Sequence, residues 1–263
     1  PLVAFLRRRR DDVVASPGPA GPMTRDALAQ RLGARGDRLL PAVRYATRRQ
    51  PDAAIDIGQS KVGGAPDLPQ GTSWPLWTTP GGERLPLQFF AQLDLAEAAA
   101  AAPGPLGLPE TGLLSFFADF DPEGKPRSDA VTATIRYSPA DSLFVRCALR
   151  LMPLQTAHLA AIGAWSWPVP PDGDGLDPLA LEYDLDLSAQ VPERYELTGH
   201  HQLFGHNRFG ASSDDAVPVL QLDCDGAREF CWEHAGAGGA LVWSLPRTDI
   251  AAREWAAGRF SLA

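Results

Sequence analysis

Two short phrases in the chain place an amide and a carboxylate two residues apart: Ala91-Gln92-Leu93-Asp94-Leu95 and Leu220-Gln221-Leu222-Asp223-Cys224. In an extended backbone, residues two apart share a face, so Gln92 lies with Asp94 and Gln221 with Asp223. If the two strands met, their aspartates would form a pair suited to acid/base chemistry or to a hard metal ion. The other reading is that each aspartate caps a turn at its strand end, the commoner use of Asp beside a turn. Lys61 is the next candidate. The chain holds 22 arginines and 2 lysines, and one of the two opens Lys61-Val62-Gly63-Gly64. A lysine kept in an arginine-dominated chain points to a position that wants a compact ammonium, not a planar fork; the other reading is a surface lysine placed there by chance. Gly63 and Gly64 permit positive φ and the close approach of another chain or a ligand. The lysine precedes the glycines and the G-x-x-x-x-G-K-S/T spacing is missing, which argues against nucleotide binding. Trp74 and Trp77, beside Pro75 and Gly81-Gly82, are either core or an apolar anchor for a partner.

The candidate ligand- or partner-binding set is therefore Lys61, Gly63, Gly64, Trp74, Trp77, Gln92, Asp94, Gln221 and Asp223. No catalytic residue, metal ligand or cofactor is assigned. Cys224, Cys231 and His234, even with His200, His201 and His206, match no standard zinc spacing. Asp172-Gly173-Asp174-Gly175-Leu176-Asp177 lacks the closing acid of a calcium loop, and no serine sits in a G-x-S-x-G elbow. Three cysteines are too few for a disulfide framework, so reduced thiols and a cytoplasmic setting are expected.

The elements that must position these residues follow from the pattern. Residues 1–21 read as a flexible or truncated leader closed by a Pro/Gly cluster. Residues 22–54 read as a helical extension. Thr24 caps a first helix containing Leu28 and Leu32, and a second short helix is expected from Asp37 to about Arg49. From Ile55 the pattern changes to short apolar runs between Gly, Pro and Asp. Strands are expected at Phe89–Leu95, Leu113–Phe120, Val131–Tyr137, Leu143–Met152, Val217–Leu222 and Ala240–Leu245. Ala96–Ala102 reads as a helical turn, Pro168–Pro178 as a loop, and Asp249–Ala257 as a last short helix. The two Gln-x-Asp phrases also sit in a larger repeat. Each follows a glycine-bearing entry and a proline-containing apolar run, and each precedes a glycine and a second apolar run. Four landmarks in one order argue for a duplicated unit within residues 55–263, the first copy at about 55–160 and the second at about 179–263.

Lys61-Val62-Gly63-Gly64-Ala65-Pro66-Asp67-Leu68-Pro69 with Trp74-Pro75, the run Pro86–Leu95, and Gly112–Phe117 together resemble the YwqG-like family, also called DUF1963. His201–His206 and Gln221-Leu222-Asp223 are similar to its second-half pattern, although Phe204 stands where a small residue is expected. The resemblance spans about residues 55–245. It implies a mainly β, roll-like fold with internal duplication, to which the N-terminal helical extension is added. It brings no activity, because the family is one of unknown function. Some members are encoded near secreted-toxin systems, which implies an immunity or interaction role by association alone.

Composition narrows the classes further. With 44% apolar residues and seven tryptophans the chain is globular, and no apolar run is long enough to cross a bilayer. The net charge of −8 conceals an asymmetry, since residues 1–50 hold eleven arginines against four aspartates and the remainder is strongly acidic. An acidic body argues against nucleic acid, and the basic arm reads as a solvated face. The abundance of Ala, Arg, Gly and Pro suggests a bacterial source with a GC-rich genome. The expected function is a non-catalytic binding or interaction module for an unknown protein or small molecule, with toxin neutralisation as one form of it. The alternative is an enzyme with an acid/base cleft between the two repeats, using Lys61, Asp94 and Asp223.

Overall fold

A computed structural model describes residues 24–122, 124–127, 131–149, 156–166, 190–196, 201–207, 216–223, 240–255 and 258–262. The expected leader, the Pro168–Pro178 loop, Cys224, Cys231, His234 and His200 lie outside the described residues.

The chain is mainly β. Helix α1 (Arg25–Leu32) starts where expected, with the Thr24 side chain accepting the Ala27 N–H at 3.3 Å. The expected second helix does not form. After a 3₁₀ turn, residues Leu40–Arg49 are strand β1, ten residues long and buried continuously from Ala42 to Thr47. The physical reason is position. β1 lies in the middle of the largest sheet and is covered on both faces, so it lacks the alternation by which a half-buried strand is recognised.

The remaining strands are β2 (Lys61–Val62), β3 (Asp67–Pro69), β4 (Leu76–Thr78), β5 (Arg84–Pro86), β6 (Gln88–Asp94), β7 (Leu113–Ala118), β8 (Ala133–Ser138), β9 (Phe144–Arg146), β10 (Ala157–Ser166), β11 (Gln202–Phe204), β12 (Ala216–Asp223), β13 (Ala240–Pro246) and β14 (Arg259–Leu262). Helix α2 (Leu95–Ala101) follows β6 directly, and α3 (Arg247–Ala252) follows β13. Ten strands form one antiparallel sheet in the order β14-β13-β12-β11-β1-β10-β2-β6-β7-β8. Its centre is the ten-pair ladder of β1 with β10. β2, β6, β7 and β8 extend one arm from β10, and β11, β12, β13 and β14 extend the other from β1. Each arm carries a register shift at the corresponding place, between Phe89 and Ala91 in β6 and between Pro218 and Leu220 in β12.

The bulges help the sheet to curl, because an extra residue bends the bulged strand and increases its local twist. The curl brings distant strands together. Trp243 of β13 meets Phe90 of β6 and Phe116 of β7 edge-on at 5.4 and 5.7 Å, and its Nε1 donates to the Phe117 carbonyl at 3.1 Å. These aromatics line one core with Val43, Leu93, Leu159, Leu203 and Leu241. The edge strands nearly meet. Phe120 lies 5.8 Å from Phe260, Trp255 packs on Tyr137 at 6.1 Å, and Gly258 lies against Ile135. Mutual covering of the two edges removes the exposed strand that would otherwise invite pairing with another chain.

On the outer face of the β6–β7 arm sits a small cover made of two strand pairs, β3 with β9 and β4 with β5. Leu68 of the cover packs with Leu87, Phe89 and Phe117 in a buried cluster, and Trp74, Trp77 and Cys147 lie alongside. Among the described residues no helix is long and apolar enough to cross a membrane.

Candidate functional site

The sheet register sets a row of polar side chains across six strands. Arg48, His158, Lys61, Gln92, Ser115 and Arg136 stand opposite one another on β1, β10, β2, β6, β7 and β8. Leu93 and Leu114, their neighbours along the strands, belong to the inner core, so alternation puts this row on the outer face. Three of its members, Lys61, Gln92 and Ser115, are fully buried. Such burial demands partners above all for the charged Lys61, because an unpaired charge away from water is among the costliest things a fold can hold. Ser115 Oγ, by contrast, has no hydrogen-bond partner among the described residues.

Lys61 finds its partners in residues absent from the sequence-derived set. Its Nζ lies 2.9 Å from Asp52 Oδ1 and 3.5 Å from Asp67 Oδ2. Asp67, also fully buried, accepts from Arg146 Nε at 2.8 Å, Gly58 N at 3.0 Å and Gln92 Nε2 at 2.7 Å. The Asp67 N–H donates to Gln92 Oε1 at 2.8 Å, and Gln92 Nε2 also reaches the Gln59 carbonyl at 2.8 Å. Arg146 then donates to the carbonyls of Asp52 and Ile55, the latter at 2.8 Å. Two cations face two carboxylates, and the cluster is balanced. Burial works against ionised Asp67, yet the Arg146 hydrogen bond, the Lys61 charge and the Gly58 and Gln92 bonds outweigh it and hold its pKa below the usual value. Burial pushes Lys61 below its ordinary value, with Asp67 and Asp52 opposing the shift.

The double glycine is required by this geometry. Gly63 and Gly64 have φ of 67° and 71°, and a Cβ on Gly64 would fall 2.6 Å from Asp52 Oδ1 and 2.8 Å from Thr156 Oγ1. The corresponding turn of the other arm is Phe204-Gly205, with φ of 60° and 83°. Phe204 thus holds the same left-handed backbone as Gly63, at the cost usual for a non-glycine residue there.

Asp94 caps α2, its Oδ1 accepting the Ala96 N–H at 2.9 Å, while its own N–H donates to Ser60 Oγ at 2.9 Å. Ser60 Oγ donates in turn to Glu97 Oε2 at 2.8 Å, and Ala161 N donates to Glu97 Oε1 at 2.9 Å. On the other arm the Asp223 N–H donates to His201 Nδ1 at 3.1 Å, and Gln221 Nε2 donates to the His206 carbonyl at 2.9 Å. Four strands (β2, β10, β1 and β11) lie between β6 and β12 in the sheet, and Asp94 spends its carboxylate on a helix end. The structure therefore brings together Lys61, Gly64 and Gln92, and leaves Gln221 and Asp223 on the opposite arm. Trp74 and Trp77 are half-buried parts of the cover; Trp74 meets Phe117 at 5.7 Å and donates to the Leu87 carbonyl at 2.8 Å.

Sequence reasoning passed over Asp52, Asp67 and Arg146. Asp67 had a signal, since it lies inside the Lys61–Pro69 motif. Arg146 had none, because 79 residues separate it from the carboxylate it grips. Among the described residues no three His, Cys, Asp or Glu side chains converge as a metal site. The cluster is chemically a closed clasp, its charges spent on one another.

The chain matches, over residues 60–262, the model of a family described as a domain of unknown function, DUF1963. No curated protein matches it.

Proposed function

The chain belongs to the DUF1963 family, and from that premise we propose that it is a binding module, acting by recognition and without chemistry of its own. One observation carries the reading. The only side chains of the candidate set that meet around charge, Lys61 and Gln92, are fully buried and committed to Asp52, Asp67 and the Gln59 carbonyl, with no face turned to a substrate. In this reading Lys61, Gly63, Gly64 and Gln92 hold the cover from beneath. The cover, with Trp74 and Trp77 and the exposed Leu143 and Val145, meets the partner. A protein partner, including a toxin to be neutralised, is the class this surface suits. The duplicated origin of the two arms belongs to the same proposal and is supported by their matched strand order, bulges and left-handed turns.

The enzyme reading has one observation in its favour: a lysine with lowered pKa beside two carboxylates is the type of group that moves protons. Against it stand the burial of Lys61 and the separation of Asp94 from Asp223. The test is affinity capture on the purified full chain from native lysate, read by mass spectrometry for proteins and small molecules together. A stoichiometric protein partner lost on Leu143→Asp supports the module. A small molecule that is captured and turned over by wild type, and not by Lys61→Met, overturns it.

A further inference from the structure

The polar row contains a second feature, at the other side of Lys61 and independent of the recognition reading above. Arg48 of β1 and His158 of β10 stand opposite each other in register. Over them lies Tyr195, brought there by a turn in which Tyr195 N donates to the Pro192 carbonyl at 3.0 Å. The turn is tied to β1 by reciprocal hydrogen bonds between Thr47 and Glu196, both 2.8 Å. Arg194, next to Tyr195, has φ of 75°, a left-handed conformation that a non-glycine residue adopts at a cost. The Arg48 guanidinium sits 5.0 Å from the Tyr195 ring centroid, and the Tyr195 hydroxyl is hydrogen-bonded to His158 Nδ1.

What distinguishes this cluster from the Lys61 clasp is that its cation is not spent. Arg48 is only partly exposed, and among the described residues its buried Nε has no hydrogen-bond partner and no carboxylate pairs with it. A guanidinium carries five donors in a rigid fork, and a partly buried one normally finds an acceptor. The cation–π contact with Tyr195 restrains the guanidinium beforehand, so less ordering remains to be done when an acceptor arrives. His158 uses Nδ1 on Tyr195, and as an imidazolium it offers Nε2–H as a further donor. We propose that Arg48, His158 and Tyr195 form a binding site for one oxyanion group, a phosphate or a carboxylate, gripped by the Arg48 fork and the His158 ring.

The charges around the site set its pH behaviour. Burial and the positive charge of Arg48 lower the pKa of His158, and Asp56 opposes them. Glu97 lies close enough to act on Tyr195, and Lys61, the register neighbour of His158, is neutralised by Asp52 and Asp67. A bound anion favours imidazolium, so binding takes up a proton and tightens as pH falls toward the free-protein pKa of His158, which lies below the ordinary imidazole value.

The test uses the full chain, titrated separately with sodium phosphate, sodium acetate and sodium chloride while the His158 ring and Arg48 Nε–H signals are followed by NMR. A saturable shift with phosphate or acetate is expected, strengthening at lower pH. Arg48→Met, which keeps the stem against Tyr195 and removes the donors, should weaken it by at least about tenfold. Arg48→Lys should retain part of the affinity and serves as the folded comparison if Arg48→Met is unstable. Preference for phosphate names a phosphate group as the ligand, and equal or better response to acetate names a carboxylate. No saturable shift, an equal response to chloride, or unchanged binding in a folded Arg48→Met overturns the assignment.

Discussion

At the scale of the residue, the Lys61 clasp is where a single atom decides most. Lys61→Ala leaves Asp52 and Asp67 facing Arg146 alone, and breaking a buried pair in this way costs about 3–5 kcal/mol. Lys61→Arg should also lower the melting temperature, since a wider head must enter a site with no exposed surface, an overpacking cost of about 1–3 kcal/mol. A Lys61→Arg variant melting with wild type would show that the ammonium is not held as described. Gly64→Val should be damaging for two separate reasons, the positive φ and the 2.6 Å approach to Asp52. Asp67 adds a pH dependence. Its folded pKa lies below the unfolded value near 3.8, so its contribution is fully present above that value. The contribution is lost as pH falls through the lower folded pKa. Melting curves of wild type and Asp67→Asn should therefore be far apart at pH 7 and draw together well below pH 4. A gap that stays constant across that range would remove Asp67 from the account.

Elements show how the sequence can be legible in one place and mute in another. Val131–Tyr137 alternates between apolar and polar residues, and β8 forms at Ala133–Ser138 with Ala133 and Ile135 buried. Ala96–Ala102 reads as a helical turn beside Asp94, itself a candidate turn cap, and α2 forms one residue earlier, at Leu95–Ala101, with Asp94 as its cap. Asp94→Ala should cost about 1 kcal/mol through the lost cap, while Asp94→Asn should be nearly silent. An Asp94→Asn variant as damaged as Asp94→Ala would point to a role for the charge beyond capping. The central strands are where the pattern fails. β1 reads Leu-Pro-Ala-Val-Arg-Tyr-Ala-Thr-Arg-Arg and β10 reads Ala-His-Leu-Ala-Ala-Ile-Gly-Ala-Trp-Ser. Their alanines, helix formers by propensity, are small because Ala42, Ala46 and Ala164 pack on covered faces of the sheet. Tertiary burial overrides a weak local preference. The candidate site was half legible for a related reason: Lys61, Gly64 and Gln92 are marked by rarity and repetition. Asp52 and Arg146, ordinary residues in ordinary places, acquire their meaning from a contact that spans 94 positions.

For the whole molecule, the consequential fact is the crossing at the centre of the sheet. β1, first in the chain, pairs with β11 as well as β10, and β10 pairs with β2 as well as β1. A chain cut between β9 and β10 would separate β1 from the strand that joins it to β2. The first fragment would keep β2-β6-β7-β8 with no ladder to its own β1, and the second would hold β10 beside no partner of its own. Trp243 binds the arms a second time, through Phe90 and Phe116, so Trp243→Ala should cost about 3–5 kcal/mol and loosen both arms together. The arms should therefore melt as one unit despite their matched layout. Calorimetry on the full chain is expected to give a single transition whose calorimetric and van't Hoff enthalpies agree. Fragments 24–149 and 150–263, unfolded when expressed apart, should recover the β spectrum when mixed. Two resolved transitions, or a first fragment that folds alone, would mean that the central ladder does not couple the arms and that each is a domain in its own right.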